Sequence, residues 1–159
     1  MREILDVTGK LIVDYRARGE WCRLPYPNHP KGCPNYGKKF MCPPNCPKIN
    51  EWCDLSSKMW LVCVPFNIEE HANNMKLAHP HWTDRQVRCL LYWQPKVNKE
   101  LAEATYFFAS HKGADVVLNG VAYCPEAMGV NVIQTARDCG LPIEVHPQKI
   151  VYKISLVVG

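Results

Sequence analysis

Five of the nine cysteines, Cys22, Cys33, Cys42, Cys46 and Cys53, fall within residues 22–53, the first four at spacings of eleven, nine and four. Thiolates are soft ligands, and four of them converging on one centre hold zinc or an iron-sulfur cluster. The same stretch carries seven prolines. Each removes an amide donor and fixes its own torsion, so the segment can be neither a helix nor a central strand. The composition predicts an irregular loop, stiffened by proline and free to curl at Gly32 and Gly37, which reduces the entropy lost in gathering ligands. Only Cys42 and Cys46 form a close pair, whereas structural zinc usually takes two such knuckles. Proline follows Cys33, Cys42, Cys46 and Cys124, a pairing common beside iron-sulfur ligands. A [4Fe-4S] cluster is therefore favoured, with zinc as the alternative.

Cys124 is the remaining candidate. It stands at the N-cap of an expected helix that opens with Pro125, where free amides and the helix dipole lower a thiol's pKa. A strand-to-helix switch is also where α/β proteins gather their sites. The ligand set is thus Cys22, Cys33, Cys42 and Cys46, or three of these with Cys124; an incomplete thiolate set would leave an iron open to substrate. Cys63 and Cys89 lie in apolar stretches and Cys139 on an apolar helix face, so these three read as core. Cys53 fits either role. His29, between prolines, could hydrogen-bond a ligand, while Pro80 forces an extended link between His79 and His81 that points their rings apart.

The formal charge of +4 is concentrated at the front: residues 1–58 hold ten Lys/Arg against six Asp/Glu, and the rest hold nine of each. Four thiolates on zinc or on an oxidised four-iron cluster leave about −2 by simple addition, which Arg23, Lys31, Lys38, Lys39 and Lys48 would offset. The basic excess then does not require nucleic acid, and most of Trp21, Trp52, Trp60, Trp82 and Trp93 read as packing residues rather than base-stacking platforms. A redox or protein partner is the expectation; in the alternative, a zinc-stapled binding module, the basic surface would engage nucleic acid or another protein. No apolar run approaches the ~18 residues of a membrane span. The N-terminus mixes charged and apolar residues and does not read as a secretory signal, so a cytoplasmic protein with reduced thiols is expected. No phosphate loop, nucleophile elbow, HExxH or dinucleotide fingerprint occurs. ATP-driven or hydrolytic chemistry has no support, and no catalytic residue is assigned.

The elements that must position these thiols follow from periodicity. A length of 159 residues suits one domain, with a metal loop over 22–53 and an α/β core over 59–159. Residues 3–19 fit a helical face, interrupted by Gly9. Met59–Phe66 reads as a buried strand and Ile68–Ala78 as a helix. Thr83 to Gln86 matches a capping box and opens a helix limited by Pro95, and Val97–Ser110 continues as a second helical piece. Ala114–Tyr123 reads as a strand broken near Gly120. One helix is expected from Pro125, with Met128, Val132, Ile133, Ala136 and Cys139 on its apolar face and Gly140 as its stop. Ile143–His146 and Ile150–Val158 complete the pattern as strands. Strands separated by helices indicate an α/β fold, a central sheet flanked by helices, with the irregular Cys/Pro-rich loop near the N-terminus.

Two stretches carry a resemblance: Tyr36-Gly37 through Cys42-Pro43-Pro44, and Glu126-Ala127-Met128-Gly129-Val130-Asn131-Val132 followed by Thr135-Ala136 and Gly140-Leu141. They are similar to two signatures of an uncharacterised, cysteine-rich family of "predicted metal-binding proteins", a domain of unknown function. The resemblance spans residues 22 to 158 and implies metal binding, with no reaction attached. Members of that family often carry a second cysteine cluster ahead of the later signature, where this chain has Cys124 alone; the resemblance does not extend to a two-cluster relay.

Overall fold

Four segments form one antiparallel sheet: Glu3–Asp6 (β1), Met59–Asn67 (β2), Val121–Ala122 (β3) and Ile150–Val158 (β4), in the order β1-β2-β4-β3. The computed structural model of the chain describes residues 2–25, 29–112 and 120–159. β2 and β4 make the centre, paired along their length from Met59↔Val158 to Asn67↔Ile150. Both are predominantly apolar, β2 with Val62, Val64, Trp60 and Phe66 and β4 with Ile150, Val151, Ile154, Leu156, Val157 and Val158, because both sheet faces are covered. Met59, Leu61 and Cys63 enter one core with Ile154, Leu156 and Val158; Val62, Val64 and Val157 enter the other.

The helices are Arg16–Arg23 (α1), Ile49–Trp52 (α2), Ile68–Ala78 (α3), Asp84–Val87 (α4), Gln94–Lys112 (α5) and Val132–Asp138 (α6), with 3-10 turns at Leu90–Tyr92 and Pro125–Met128. α5 lays Val97, Leu101, Ala104 and Ala109 on one sheet face. Its buried Thr105 hydroxyl donates to Leu101 O at 2.6 Å, and that of Ser155 stands 2.7 Å from Thr105 Oγ1, so the two hydroxyls satisfy each other inside the layer. The opposite face is covered by Met128, Val130, Val132, Ala136 and Leu141, joined by Ile49 of α2 and by Val7. The α/β architecture with a helix-flanked central sheet is the one expected.

Individual elements differ from expectation. Residues 3–19 do not form a helix: β1 pairs with β2 from Glu3↔Cys63 to Asp6↔Trp60, and helix starts only at Arg16. The alternation of β1, in which Leu5 turns inward and Ile4 stays 48% exposed, wins once a neighbouring strand is available. Pro95 lies in the first turn of α5 rather than ending a helix, because the absent amide costs nothing there. The capping box at Thr83 is formed, with Gln86 N donating to Thr83 Oγ1 at 3.3 Å and Thr83 N to Gln86 Oε1 at 2.8 Å, although the helix it opens is four residues long.

The helix expected from Pro125 is split at Gly129. With φ +99 its backbone suits only glycine, and a Cβ there would fall 2.5 Å from the Tyr15 ring. The break lets Asp14 N donate to Gly129 O at 2.7 Å and Asn131 N to Ile12 O at 2.8 Å, tying residues 12–14 to this segment. Ile143–His146 is not a strand, since Pro142 and Pro147 bracket it and deny ladder donors. Of the strand read over 114–123, only Val121–Ala122 is seen; residues 114–119 lie outside those described.

Candidate metal centre

Between His29 and Lys48 the described chain contains turns and bends but no helix or strand. Its order comes from single backbone bonds. Cys22, near the end of α1, accepts from Cys33 N at 2.7 Å. Gly32 makes this approach feasible: its φ is +83, and a Cβ would lie 2.5 Å from both Cys22 O and Arg23 Cα. Cys33 O accepts from Tyr36 N at 3.2 Å, Gly37 N donates to Pro43 O at 2.8 Å, and Cys42 O accepts from Asn45 N and Cys46 N at 3.0 and 3.2 Å. Cys42 and Cys46 therefore stand one turn apart.

The cation that organises the loop is Arg18, one helical turn before Cys22 on α1. Its guanidinium donates to Cys46 O at 3.0 Å, Pro44 O at 3.4 Å and Ala127 O at 3.5 Å, with Nη1 3.9 Å from Cys46 Sγ. Sequence reading missed it and pointed instead to Arg23, Lys31, Lys38, Lys39 and Lys48. Arg23 turns back to Gly19 O at 2.9 Å and lies over the Tyr36 ring, and Lys48 lies over the Tyr15 ring.

Cys46 is buried and its thiol donates to Ala127 O at 3.0 Å; the Cys22 thiol donates to Ala17 O at 3.5 Å. Burial pushes the Cys22 thiol above its ordinary pKa, and nearby Cys33, Cys42, Cys46 and Glu126 raise it further. Burial likewise raises Cys46, opposed by the charge of Arg18. Cys124 was expected to be acidified by a helix N-terminus. It is raised instead, by surrounding protein first and then by Glu126 and Cys42, because the turn that it precedes is a four-residue 3-10 segment to which its side chain gives no cap. Protein surrounds Glu126 as well, although solvent reaches part of its side chain, and this desolvation pushes the carboxyl up.

Cys22, Cys33, Cys42, Cys46 and Cys124 thus belong to one electrostatic neighbourhood. They do not stand in one ligand sphere: among the described residues, no three Cys, His, Asp or Glu side chains are grouped closely enough to hold a metal ion. The other thiols lie apart. Cys63 is fully buried in the sheet core, with its pKa pushed up to about 12 by burial, and Cys53 and Cys139 pack against the same core. Cys53 donates to Ile49 O at 3.6 Å. The His79 ring, at the C-terminal cap of α3, stacks on Trp82 with ring centroids 3.9 Å apart. All nine cysteines are free thiols.

Cys124 and Glu126 form part of the wall of a cavity of about 830 Å³ that continues along β4 towards α5. Among the described residues no helix is long and apolar enough to cross a membrane. A family model described as "Predicted metal-binding protein (DUF2284)" matches residues 25–114, which include Cys33, Cys42 and Cys46 and exclude Cys22, Cys124 and the later of the two signatures. No curated protein and no solved structure matches the chain.

Proposed function

Because the chain belongs to the family of predicted metal-binding proteins (DUF2284), whose model covers more than half of it, we propose that its cysteine loop holds one [4Fe-4S] cluster. The ligands are Cys22, Cys33, Cys42 and Cys46, or three of these with Cys124. The observation that carries this reading is that backbone bonds and Arg18 draw the cysteine loop against α1 and the Pro125–Met128 turn: Cys33 N donates to Cys22 O, Cys46 N to Cys42 O, and Arg18 bridges Cys46 O and Ala127 O. The candidate thiolates are a soft donor set, which suits iron-sulfur chemistry or zinc. Crowded acids that raise one another's pKa are relieved by a bound cation, and Arg18 offsets the charge that four thiolates bring. The loop must tighten for four sulfurs to reach one centre, and its glycines at 32 and 37 permit that.

When bound, such a cluster supplies one-electron transfer or a cross-link that stabilises the fold. This chain's residues do the rest: Cys46 is shielded from water, Arg18 orients the loop, and Gly32 sets the approach of Cys33 to α1. A reducing, cytoplasmic setting and a redox or protein partner belong to the same proposal. Protein purified without oxygen is expected to be brown and to contain about four iron and four sulfide per chain. Colourless protein with stoichiometric zinc would replace the cluster by a zinc staple, and metal-free protein would end the reading. The exposure of Cys124 on the cavity wall favours one further version, an enzyme with an open metal position. Cys124→Ser then keeps the metal and loses turnover, whereas loss of metal makes Cys124 a structural ligand.

A further inference from the structure

The cavity beside Cys124 owes its shape to the shortness of β3. That strand pairs with β4 only at Val157 and Leu156, after which the chain leaves through Cys124 and Pro125, which has no amide hydrogen to give. Val158 N donates to Gly120 O at 2.7 Å and Gly159 N to Lys58 O at 2.9 Å. Main-chain direction alternates along an antiparallel strand, so even-numbered residues of β4 turn their N–H and C=O towards β3 and odd-numbered ones towards β2. Tyr152 and Ile154 consequently aim donors and acceptors into the cavity, where no strand among the described residues pairs with them.

The cavity also wraps around this edge. Trp93 and Leu101 line it from the α5 face of the sheet, and Val132 and Ile143 from the opposite face. Charges of both signs complete the walls: Lys39, Lys153, Glu126 and Glu144. The ion pairs of the described residues are Arg16 with Asp14 and Arg88 with Asp84, so none of these four is neutralised by a salt bridge. Glu144 is held through its Oε2, which accepts from Gln148 N at 3.4 Å.

We propose that this cavity binds a short apolar peptide with free termini, laid as an added strand against Tyr152 and Ile154. Such a ligand meets each feature at once. Its amides pair with the open edge, its successive side chains go to opposite sheet faces where both walls are apolar, and its ammonium and carboxylate find carboxylates and lysines. A fatty acid offers no amide to the edge and no cation to the glutamates, and a single amino acid has no internal amide to pair. The volume lies within the usual range for small-ligand sites, roughly 300–1,000 Å³. The inference rests on the cavity walls and does not depend on the metal.

The test is calorimetric titration of the full chain with phenylalanyl-leucine and trileucine. Saturable binding is expected, weakened about tenfold when the internal amide is N-methylated, as one hydrogen bond lost at a buried edge requires. Ala102→Trp, which fills the cavity from an exposed position on α5, should abolish binding. Lys153→Met should weaken the free peptide and leave its C-terminal amide unaffected, and the amide resonances of Tyr152 and Ile154 should shift on titration. Absence of binding at millimolar peptide overturns the proposal. So does binding indifferent to N-methylation, which needs no variant to fold, or equal binding of anilinonaphthalene sulfonate, which would make the cavity an unselective apolar pocket.

Discussion

On its α5 face the sheet is covered by a helix whose buried residues, Val97, Leu101, Ala104 and Thr105, recur at helical spacing and meet Val62, Val64 and Val157. Where the cysteines lie, residues 29–48 add no regular element and are tied down by scattered carbonyl contacts and one guanidinium. Apolar burial contributes about 25 cal/mol per Å² and requires no ligand. A backbone hydrogen bond exposed to water contributes only ~0.5–1.5 kcal/mol net. The difference teaches that the α5 side can be ordered by its sequence alone, whereas the loop has little apolar burial to order it and, under the proposed function, relies on what its thiols would hold.

The strongest way to break this contrast is to strip the metal with a chelator. Amide exchange across residues 29–48 should then accelerate by several orders of magnitude, since structural metal binding contributes ~10 kcal/mol or more to local folding, while β2, β4 and α5 keep their protection. Uniform loss of protection would erase the distinction between the two regions. Leu101→Ala, next in size, should cost about 2–5 kcal/mol in urea unfolding by opening a cavity under α5, with metal content unchanged. Gly32→Ala should cost about 1–3 kcal/mol through strain at φ +83 and should weaken metal retention, because its Cβ meets the backbone of Cys22 and Arg23.

The smallest effect sharpens the contrast from the α5 side. His71 contacts Phe66, its Nε2 is buried without a hydrogen-bond partner, and burial lowers its pKa from 6.5. The unfolded chain therefore takes the proton first as pH falls. Stability is full above the unfolded value and declines as pH drops below about 6.5, levelling off beneath the folded pKa. His71→Phe should flatten this decline in thermal melts, and an unchanged slope would assign it to other groups.

Much of the sheet was legible because β2 and β4 are apolar on both faces, a pattern that solvent-facing segments do not carry. β1 was not, since four residues with one inward leucine acquire their identity from pairing with β2. The break at Gly129 was hidden for a similar reason: the apolar residues on either side of it keep helical spacing, and only the Tyr15 ring, 114 positions earlier, requires the gap. In the candidate site, cysteine and proline spacing announced a loop and its thiols directly. Arg18 escaped notice because its partners are carbonyls, which every residue possesses and no sequence distinguishes.

The bond from the Cys46 thiol to Ala127 O has a consequence for how loop and core communicate. A sulfur that gives up its proton stops being a donor, and the carbonyl loses that partner. Arg18 already has one nitrogen 3.5 Å from the same oxygen and 3.9 Å from the same sulfur. Deprotonation at Cys46 therefore hands Ala127 to the guanidinium and draws that guanidinium towards the new anion, so α1 registers the ionisation of a residue 28 positions away.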